Sequence, residues 1–336
     1  MQNFLDPAIL FFAVGVLAGC LKSNLEIPQP ISRFLSLYLL MALGLKGGFA
    51  LAKSGLTSEI AVSLGCAILL AVVIPLAGYQ FLKRILPSFD AAAVAATYGS
   101  VSAVTFITAT QYLDGQQLAY GGHMAAAMAL MESPAIIIAV LLANSLRQSA
   151  RAQPVLSAGG TAVLGGTGGP VEPTRIGKIL HESFTDGTQL LLIGAMLVGL
   201  LTGDAGKAAM APFTIDLFKG MLAFFLLDMG LLTARNLGQL RGRSPWLILY
   251  AVLAPVAHAA FALGLSIVCG IAAGNAALLM VLAASASYIA VPAVVRYSIP
   301  EANPSVYFGM SLGVTFPLNI VIGIPAYTAI AHSVLG

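Results

Sequence analysis

The stretch Thr97-Tyr-Gly-Ser-Val-Ser-Ala-Val-Thr-Phe-Ile-Thr-Ala-Thr110 sets hydroxyl side chains and a glycine inside an otherwise apolar part of the chain. A second stretch of this kind, Ala283-Ala-Ser-Ala-Ser-Tyr-Ile-Ala-Val-Pro292, begins 186 residues later. Glycine permits backbone angles that interrupt a helix, and proline removes a hydrogen-bond donor and disfavours helix at the preceding residue. Both stretches therefore predict helices that break partway along their length.

The composition of the chain predicts that these breaks lie inside a membrane. Of the 336 residues, 59% are hydrophobic and only 9% are charged, and the mean hydropathy is +0.93. A soluble domain carries about 25% charged residues. This shortage of charge excludes an ordinary soluble enzyme and a disordered protein, and a net charge of +3 leaves no basic surface for nucleic acid. The sequence therefore predicts an all-α polytopic membrane protein and no enzyme.

Ten transmembrane helices fit the apolar runs, because about 20 apolar residues cross the hydrocarbon layer. Twelve Lys and Arg residues fall on one side of this arrangement and three on the other, so we expect the first side to be cytoplasmic. Both termini then lie outside, and the expected location is the inner (plasma) membrane of a bacterial cell. The predicted spans are residues 7–23, 32–52, 60–83, 90–112, 118–146, 181–203, 212–235, 245–271, 273–298 and 304–334.

The two halves of the chain repeat the same order of features. Gly44 aligns with Gly230 at an offset of 186 residues, and Glu132-Ser-Pro134 aligns with Thr315-Phe-Pro317 at an offset of 183. Five spans per half is an odd number, so the second half enters the membrane from the opposite side. We therefore expect a 5+5 inverted repeat, with repeats at 1–146 and 181–336 joined by a cytoplasmic linker at 147–180. Many secondary transporters have this architecture, although channels and receptors can also repeat.

A broken helix in a membrane offers ligands for ions. The N-terminus of a half-helix presents free N–H groups and a partial positive charge, which suit a small oxyanion. Free carbonyl and hydroxyl oxygens at the same breaks suit Na⁺. The alternative is that these small and hydroxyl residues only pack helices together.

Glu132, Asp228 and Lys46 are ionisable residues inside predicted spans, where charge is costly and usually faces a cavity. We expect Lys46 and Asp228 to form a charge pair across the pseudo-twofold axis. The alternative is that Lys46 extends its ammonium group to the membrane surface.

Several motifs together resemble one known family over almost the whole chain. They are Leu43-Gly-Leu-Lys-Gly-Gly48, Tyr98-Gly-Ser-Val-Ser102, Glu132-Ser-Pro134, Leu217-Phe-Lys-Gly220, Met229-Gly230, Ala254-Pro-Val-Ala-His258, Ala283-Ala-Ser-Ala-Ser287 and Ile299-Pro-Glu-Ala-Asn-Pro-Ser-Val-Tyr307. On these residues the chain resembles a divergent member of the sodium-dependent bicarbonate transporter family (SbtA).

The resemblance implies ten spans in core and gate domains, a homotrimer, and Na⁺-driven bicarbonate uptake. It also implies control by a PII-like regulatory protein that responds to adenine nucleotides at the cytoplasmic face. Substrate would bind where the fourth and ninth spans break. That site carries over to Gly99, Ser100, Val101, Ser102, Ser285, Ala286 and Ser287.

The sequence departs from the family after the second serine run. Family members resemble Ser-Asp-Ile-Ser-Gly-Pro there, whereas this chain has Ser287-Tyr-Ile-Ala-Val-Pro292, so Tyr288 replaces an acid. Lys46 and Asp228 occupy positions that are uncharged in the family. We therefore expect the cation-binding or coupling residues to come from a wider set, namely Thr105, Glu132, Asp228 and Thr315.

The function predicted from the sequence is inward symport of bicarbonate, or a similar small anion, with Na⁺ by alternating access. No other metal and no organic cofactor is expected. Two alternatives remain open. One is proton-coupled or uncoupled transport of another small carboxylate, with Asp228 or Glu132 as the titrating group. The other is a transporter-derived membrane receptor.

Overall fold

The computed structural model describes residues 6–55, 57–152, 187–237 and 244–336, and these residues form helices and connecting turns without a β-strand. The predicted linker 147–180 begins inside a helix that continues to Ala152, and its remainder lies outside the described residues. The helices are α1 (Pro7–Cys20), α2 (Gln29–Ser54), α3 (Ser58–Leu82), α4 (Ser88–Gly99), α5 (Ala103–Gly115), α6 (Met124–Ala152), α7 (Gly187–Ala211), α8 (Phe218–Leu237), α9 (Pro245–Cys269), α10 (Ala273–Ala284), α11 (Ala290–Ser298) and α12 (Pro304–Leu335).

The ends of several helices are fixed by local sequence. The Asp6 side chain accepts a hydrogen bond from the N–H of Ala8 at 2.8 Å, and Asn303 likewise accepts from Ser305 at 3.0 Å. These caps satisfy N–H groups that the first turn of a helix leaves unpaired. At the other end of α9, Gly270 adopts the left-handed conformation with a φ of 65° and stops the helix.

The helix α12 contains two π-helical turns, Ser311–Thr315 and Asn319–Gly323. The first of these turns ends two residues before Pro317, and the second ends two residues before Pro325. A proline inside a helix clashes with the carbonyl four residues earlier, and a wider turn relieves this clash. The helix therefore continues through both prolines instead of ending.

The helices of this protein have the length and hydropathy of membrane spans. Within the described residues, seven helical stretches can cross a membrane, and α1 and α10 are shorter apolar helices. One stretch of 48 residues, Leu190–Leu237, contains a non-helical Gly203 and a π-helical turn, Pro212–Asp216. The chain is thus a multi-pass membrane protein, and the count of ten spans stays a prediction.

Two helix pairs approach each other closely at glycines. In the pair α2 and α7, a Cβ built at Gly44 would lie 2.5 Å from the carbonyl oxygen of Leu192, and one at Gly199 would lie 2.6 Å from that of Leu45. In the pair α1 and α8, a Cβ on Gly15 would lie 3.0 Å from the Cα of Gly230. Small residues permit such close approach, which gives membrane helices extensive van der Waals contact.

The broken helices lie in the buried part of the molecule. The helix α4 packs against α3 and α6, and α10 packs against α9 and α12. Every residue of α4 from Ala91 to Gly99 is buried, and so is every residue of α10 from Gly274 to Ala284. The remaining helices therefore shield both breaks from the surrounding lipid.

Candidate functional site

Both predicted interruptions are present in the structure. The helix α4 ends at Gly99 and α5 begins at Ala103, whereas α10 ends at Ala284 and α11 begins at Ala290. The two helices that lead into the breaks, α4 and α10, both have 12 residues. Each half of the chain therefore contributes one discontinuous helix of similar construction.

The first break depends on a close contact of Gly99. A Cβ at this position would lie 2.5 Å from the Cβ of Pro75 on α3, so no larger residue fits without a shift. After the break, the Ser102 hydroxyl oxygen accepts from the N–H of Thr105 at 3.2 Å and from the Thr105 hydroxyl at 2.9 Å. Ser102 thereby starts α5, and Thr105 supports Ser102.

Two hydrogen bonds join the breaks directly. The N–H of Ser102 donates to the hydroxyl oxygen of Ser285 at 3.0 Å, and the N–H of Ser287 donates to the carbonyl oxygen of Thr97 at 2.8 Å. The Ser285 hydroxyl itself donates to the carbonyl of Leu282 at 2.8 Å. The two interruptions are therefore held together as one polar centre.

A cavity of about 50 Å³ lies against this centre. Both half-helix N-termini contribute to its wall, one through Ser102 and Ala103 and the other through Ile289 and Ala290. Such N-termini favour an anion because their N–H groups and dipoles point toward it. As the candidate site for a solute, we call this space the substrate cavity; its lining residues are Ser36, Leu40, Val101, Ser102, Ala103, Val104, Met128, Glu132, Thr188, Leu192, Ser287, Tyr288, Ile289 and Ala290.

The substrate cavity separates the breaks from the close pair α2 and α7. Ser36 and Leu40 of α2 and Thr188 and Leu192 of α7 face it from one side. Glu132, on α6, is a carboxylate in its wall. The cavity therefore lies between two groups of helices, which is where a solute can be enclosed by relative motion.

Not every predicted site residue lines this cavity. Val101, Ser102, Ser287 and Glu132 do, whereas Gly99, Ser100, Ser285 and Ala286 form the breaks behind it and are not part of its lining. Ser100 is 1% exposed, and its hydroxyl has no hydrogen-bond partner among the described residues.

Thr315 has a different neighbourhood from the one expected. Its hydroxyl donates to the carbonyl of Ala251 on α9 at 2.8 Å, and the hydroxyl of Tyr98 lies 2.6 Å from it. One turn further on, the Asn319 amide donates to the carbonyl of Ala284 at 2.8 Å. These side chains of α12 hold the ends of α4 and α10 at the breaks. The sequence places Tyr98 in a family motif but predicts no role at the site for Tyr98 or Asn319.

The predicted pair of Lys46 and Asp228 is wrong. The ammonium group of Lys46 lies 3.4 Å from the carboxylate of Asp114. The carboxylate of Asp228 instead accepts a hydrogen bond from the Ser32 hydroxyl. Ser32 and Lys46 are 14 residues apart on α2, and this separates them by about 21 Å along the helix axis. Because Asp228 lies at the Ser32 end, Lys46 cannot reach it.

Tyr288, which stands where the related family has an acid, lines the substrate cavity. Its hydroxyl group interacts with the side chain of Ser102 and lies 3.6 Å from the sulfur of Met229 on α8. This tyrosine thus connects the second break both to the first break and to the neighbouring helix group. It brings a neutral hydroxyl to a position next to the cavity.

The breaks supply oxygen atoms for a cation. Among the residues that the structure describes, no cluster of three or more His, Cys, Asp or Glu side chains is placed to hold a metal ion. Carbonyl groups at the ends of α4 and α10 and the hydroxyls of the serines are of the type that holds Na⁺ in transporters with broken helices.

The family comparison covers nearly the whole chain. A family model described as the Na⁺-dependent bicarbonate transporter superfamily matches residues 7–332. No curated protein matches the sequence.

Proposed function

The chain belongs to the Na⁺-dependent bicarbonate transporter superfamily, and we propose that it carries bicarbonate, or a similar small anion, into the cell together with Na⁺. Membership in this superfamily makes the protein a transporter and not an enzyme. The observation that supports the proposal is the substrate cavity between the two half-helix N-termini. The cavity brings together N–H donors, hydroxyl groups and one carboxylate in a buried space.

The anion would bind against the N-termini of α5 and α11. Ser102 and Ser287 contribute hydroxyl groups beside these N-termini, and an oxyanion accepts hydrogen bonds from both kinds of donor. Tyr288 supports the same reading, because a phenol next to the cavity does not repel an anion as an aspartate does. The proposed binding residues are Gly99, Ser100, Val101, Ser102, Ser285, Ala286 and Ser287.

Sodium would offset the charge of the anion and of Glu132. Both negative groups lie in or at one small cavity, so a cation bound there makes the binding of the anion more favourable, and the reverse is equally true. Thr105 supports this role through its contact with Ser102, whereas Thr315 acts from behind the breaks. We keep Glu132 and Asp228 as the candidate coupling carboxylates.

Transport would proceed by motion of a core domain against a gate domain. The pairs α1–α8 and α2–α7 form the proposed gate, and they are related to each other if residues 1–146 and 181–336 are inverted repeats. Two matching hydrogen bonds support this symmetry. Asp90 at the start of α4 accepts from the N–H of Asn303 at 2.7 Å, and Asn275 at the start of α10 accepts from the N–H of Gly121 at 2.6 Å.

The proposed arrangement in the cell follows from charge and family. The termini lie outside, residues 147–180 lie in the cytoplasm, and the protein forms a homotrimer in the inner membrane of a bacterium. A PII-like regulatory protein at the cytoplasmic face belongs to the same proposal.

A second candidate is proton-coupled transport of another small carboxylate. The observation in its favour is Glu132 in the wall of the substrate cavity, since a carboxylate there could carry a proton in place of Na⁺. Uptake driven by a proton gradient and independent of Na⁺ would distinguish this candidate.

The test is uptake of radiolabelled bicarbonate by purified protein in lipid vesicles. We expect accumulation with an inward Na⁺ gradient and loss of accumulation when choline replaces Na⁺ at equal ionic strength. Equal uptake in choline, with a response to a pH gradient, would favour the proton-coupled candidate. Background uptake of every anion tested, with binding retained, would favour a receptor.

A further inference from the structure

A second and larger cavity, of about 530 Å³, opens around the end of α2 that carries Lys46 and Lys53. Lys207 reaches it from α7, and Asp114 reaches it from the end of α5. Asp204 also lines it. We call this space the lysine vestibule and define it by these five charged residues.

The lysine vestibule and the substrate cavity follow one crevice. On each of α2, α5 and α6, a residue that lines the vestibule lies two or three positions along the chain from a residue that lines the substrate cavity. Three residues of an α-helix span about 4.5 Å along its axis, so the two cavities are separated by about this distance. The residue pairs are Leu43 and Leu40, Phe106 and Val104, and Ala125 and Met128. A thin layer of side chains thus divides two spaces that are aligned.

The dividing layer is apolar and closely packed. Phe106 is 1% exposed and Leu43 is 4% exposed, and both belong to the same buried cluster as Met128. Such a layer stops ions while it is closed, because a charged solute cannot cross apolar side chains without losing its hydration. The vestibule therefore lies directly next to the substrate cavity, on the other side of the apolar layer.

The charges of the vestibule favour an anion. Three ammonium groups face two carboxylates there. Lys46 pairs with Asp114 at 3.4 Å and lies 4.3 Å from the ring centre of Phe218. Lys53 and Lys207 are exposed, and neither forms an ion pair within the described part of the chain.

We propose that the lysine vestibule is the access route of the substrate and that its lysines concentrate small inorganic oxyanions at the dividing layer. This inference rests on the proposed function, since it assumes an anionic substrate. Positive charge along a cleft with low-dielectric walls raises the local concentration of anions and their rate of arrival. The distribution of Lys and Arg between the two sides of the predicted spans places Lys53 and Lys207 on the outer side of the membrane. The vestibule would therefore collect anions from outside the cell.

Asp114 sets how strongly Lys46 contributes. Its carboxylate accepts a hydrogen bond from the Tyr120 hydroxyl at 3.0 Å and takes the ion pair with Lys46. The pair neutralises one of the three ammonium groups at short range. Removing the negative charge of Asp114 should therefore strengthen anion capture, whereas removing a lysine should weaken it.

The experiment measures the KM for bicarbonate of the variants K46Q, K53Q, K207Q and D114N in vesicles at fixed Na⁺ and low ionic strength. We expect each lysine variant to raise KM by about twofold. The reason is that one positive charge in the wall of a water-filled vestibule changes the energy of an anion inside it by about RT. D114N should lower KM by a similar factor. The maximal rate should change little, and added choline chloride should reduce all of these differences by screening.

The matched control is K219Q, which removes one positive charge near the same end of the molecule but outside the lining of the vestibule. An unchanged KM in all three lysine variants, or an equal change in K219Q, would overturn the proposal. Failure of the proposed function itself looks different, because the wild-type protein would then show no Na⁺-dependent bicarbonate uptake at all.

Discussion

The backbone N–H of Ser102 lies 3.0 Å from the hydroxyl oxygen of Ser285, so the first break in one half of the chain is bonded to the second break in the other. Neither residue is near its partner in sequence, since 183 positions separate them. The bond is buried, with Ser285 1% exposed. This buried serine hydroxyl is therefore one of the two hydrogen-bond acceptors, with the carbonyl oxygen of Thr97, that hold the two breaks together.

Ser285→Ala should lower both stability and transport. The substitution leaves the N–H of Ser102 buried without its acceptor, which costs about 1–3 kcal/mol. We expect a lower thermal midpoint in detergent and a loss of Na⁺-dependent uptake of about tenfold or more. Ser266→Ala is the control, because Ser266 is equally buried and its hydroxyl donates to the carbonyl of Ala262 on its own helix. Unchanged uptake in Ser285→Ala would remove this serine from the site.

Gly99→Ala should destabilise the protein through a clash with Pro75. The added methyl group would lie 2.5 Å from the proline ring, and overpacking of this kind costs about 1–3 kcal/mol. We expect a lower thermal midpoint and recovery in the double variant Gly99→Ala, Pro75→Ala. Gly65→Ala on α3 is the control, because nothing lies within 4 Å of its added Cβ. Equal stability of the Gly99 and Gly65 variants would contradict the contact.

Glu301 should stabilise the fold in a pH-dependent way. Hydrogen bonds from the Arg147 guanidinium, at 2.8 Å and 2.7 Å, lower the pKa of the Glu301 carboxyl group in the folded protein. A lowered pKa means that stability is present above the ordinary glutamate pKa of about 4.3 and is lost as the pH falls through the lower folded value.

The measurement is the thermal midpoint of wild type and Glu301→Gln across this acidic range. The stability difference between the two proteins should shrink as the pH falls, because protonated Glu301 no longer forms the ion pair. Glu26→Gln is the control, since no described ion pair involves Glu26. A difference that stays constant at every pH would argue against an ionic contribution.

Cys66 and Cys269 should form a disulfide when the protein is treated with copper phenanthroline. Their sulfur atoms lie 3.7 Å apart on α3 and α9, so an approach of less than about 2 Å would bring them to the bonding distance of about 2.05 Å. Mass spectrometry of a non-reduced digest should find the cross-linked peptides. Cys20, on α1, should stay alkylatable, and a Cys20 cross-link with either cysteine would contradict the packing.

The breaks could be predicted from the sequence because their cause is local. Gly99 and the serines after it lie in adjacent positions, and Pro292 follows the second run closely, so no tertiary information is needed. The partners across the molecule depend on helix packing, which the sequence does not state. The sequence alone therefore pairs Lys46 with Asp228, although 14 residues of α2 separate Lys46 from the end of that helix where Asp228 lies.

The second cavity and the supporting residues behind the site were also beyond sequence reasoning. Asn319 is a polar residue in an apolar run, and Tyr98 belongs to a motif that carries the family resemblance, but neither signal identifies a partner across the molecule. Their roles come from α12, which continues through Pro317 by widening its turns. If Pro317 ended the helix, Asn319 would not lie one turn after Thr315 and would not reach the carbonyl of Ala284. The count of ten spans stays a prediction for a similar reason, since Gly203 bends the chain inside one 48-residue helical stretch, Leu190–Leu237.

In the proposed transport cycle, the thin apolar layer between the two cavities sets a scale for the motion of the core domain against the gate domain. A barrier formed at Phe106 and Leu43 is about as deep as a single turn of helix, which is 5.4 Å. In that proposal, sliding one wall of the crevice past the other by roughly one helical turn would open the substrate cavity to the opposite side of the membrane.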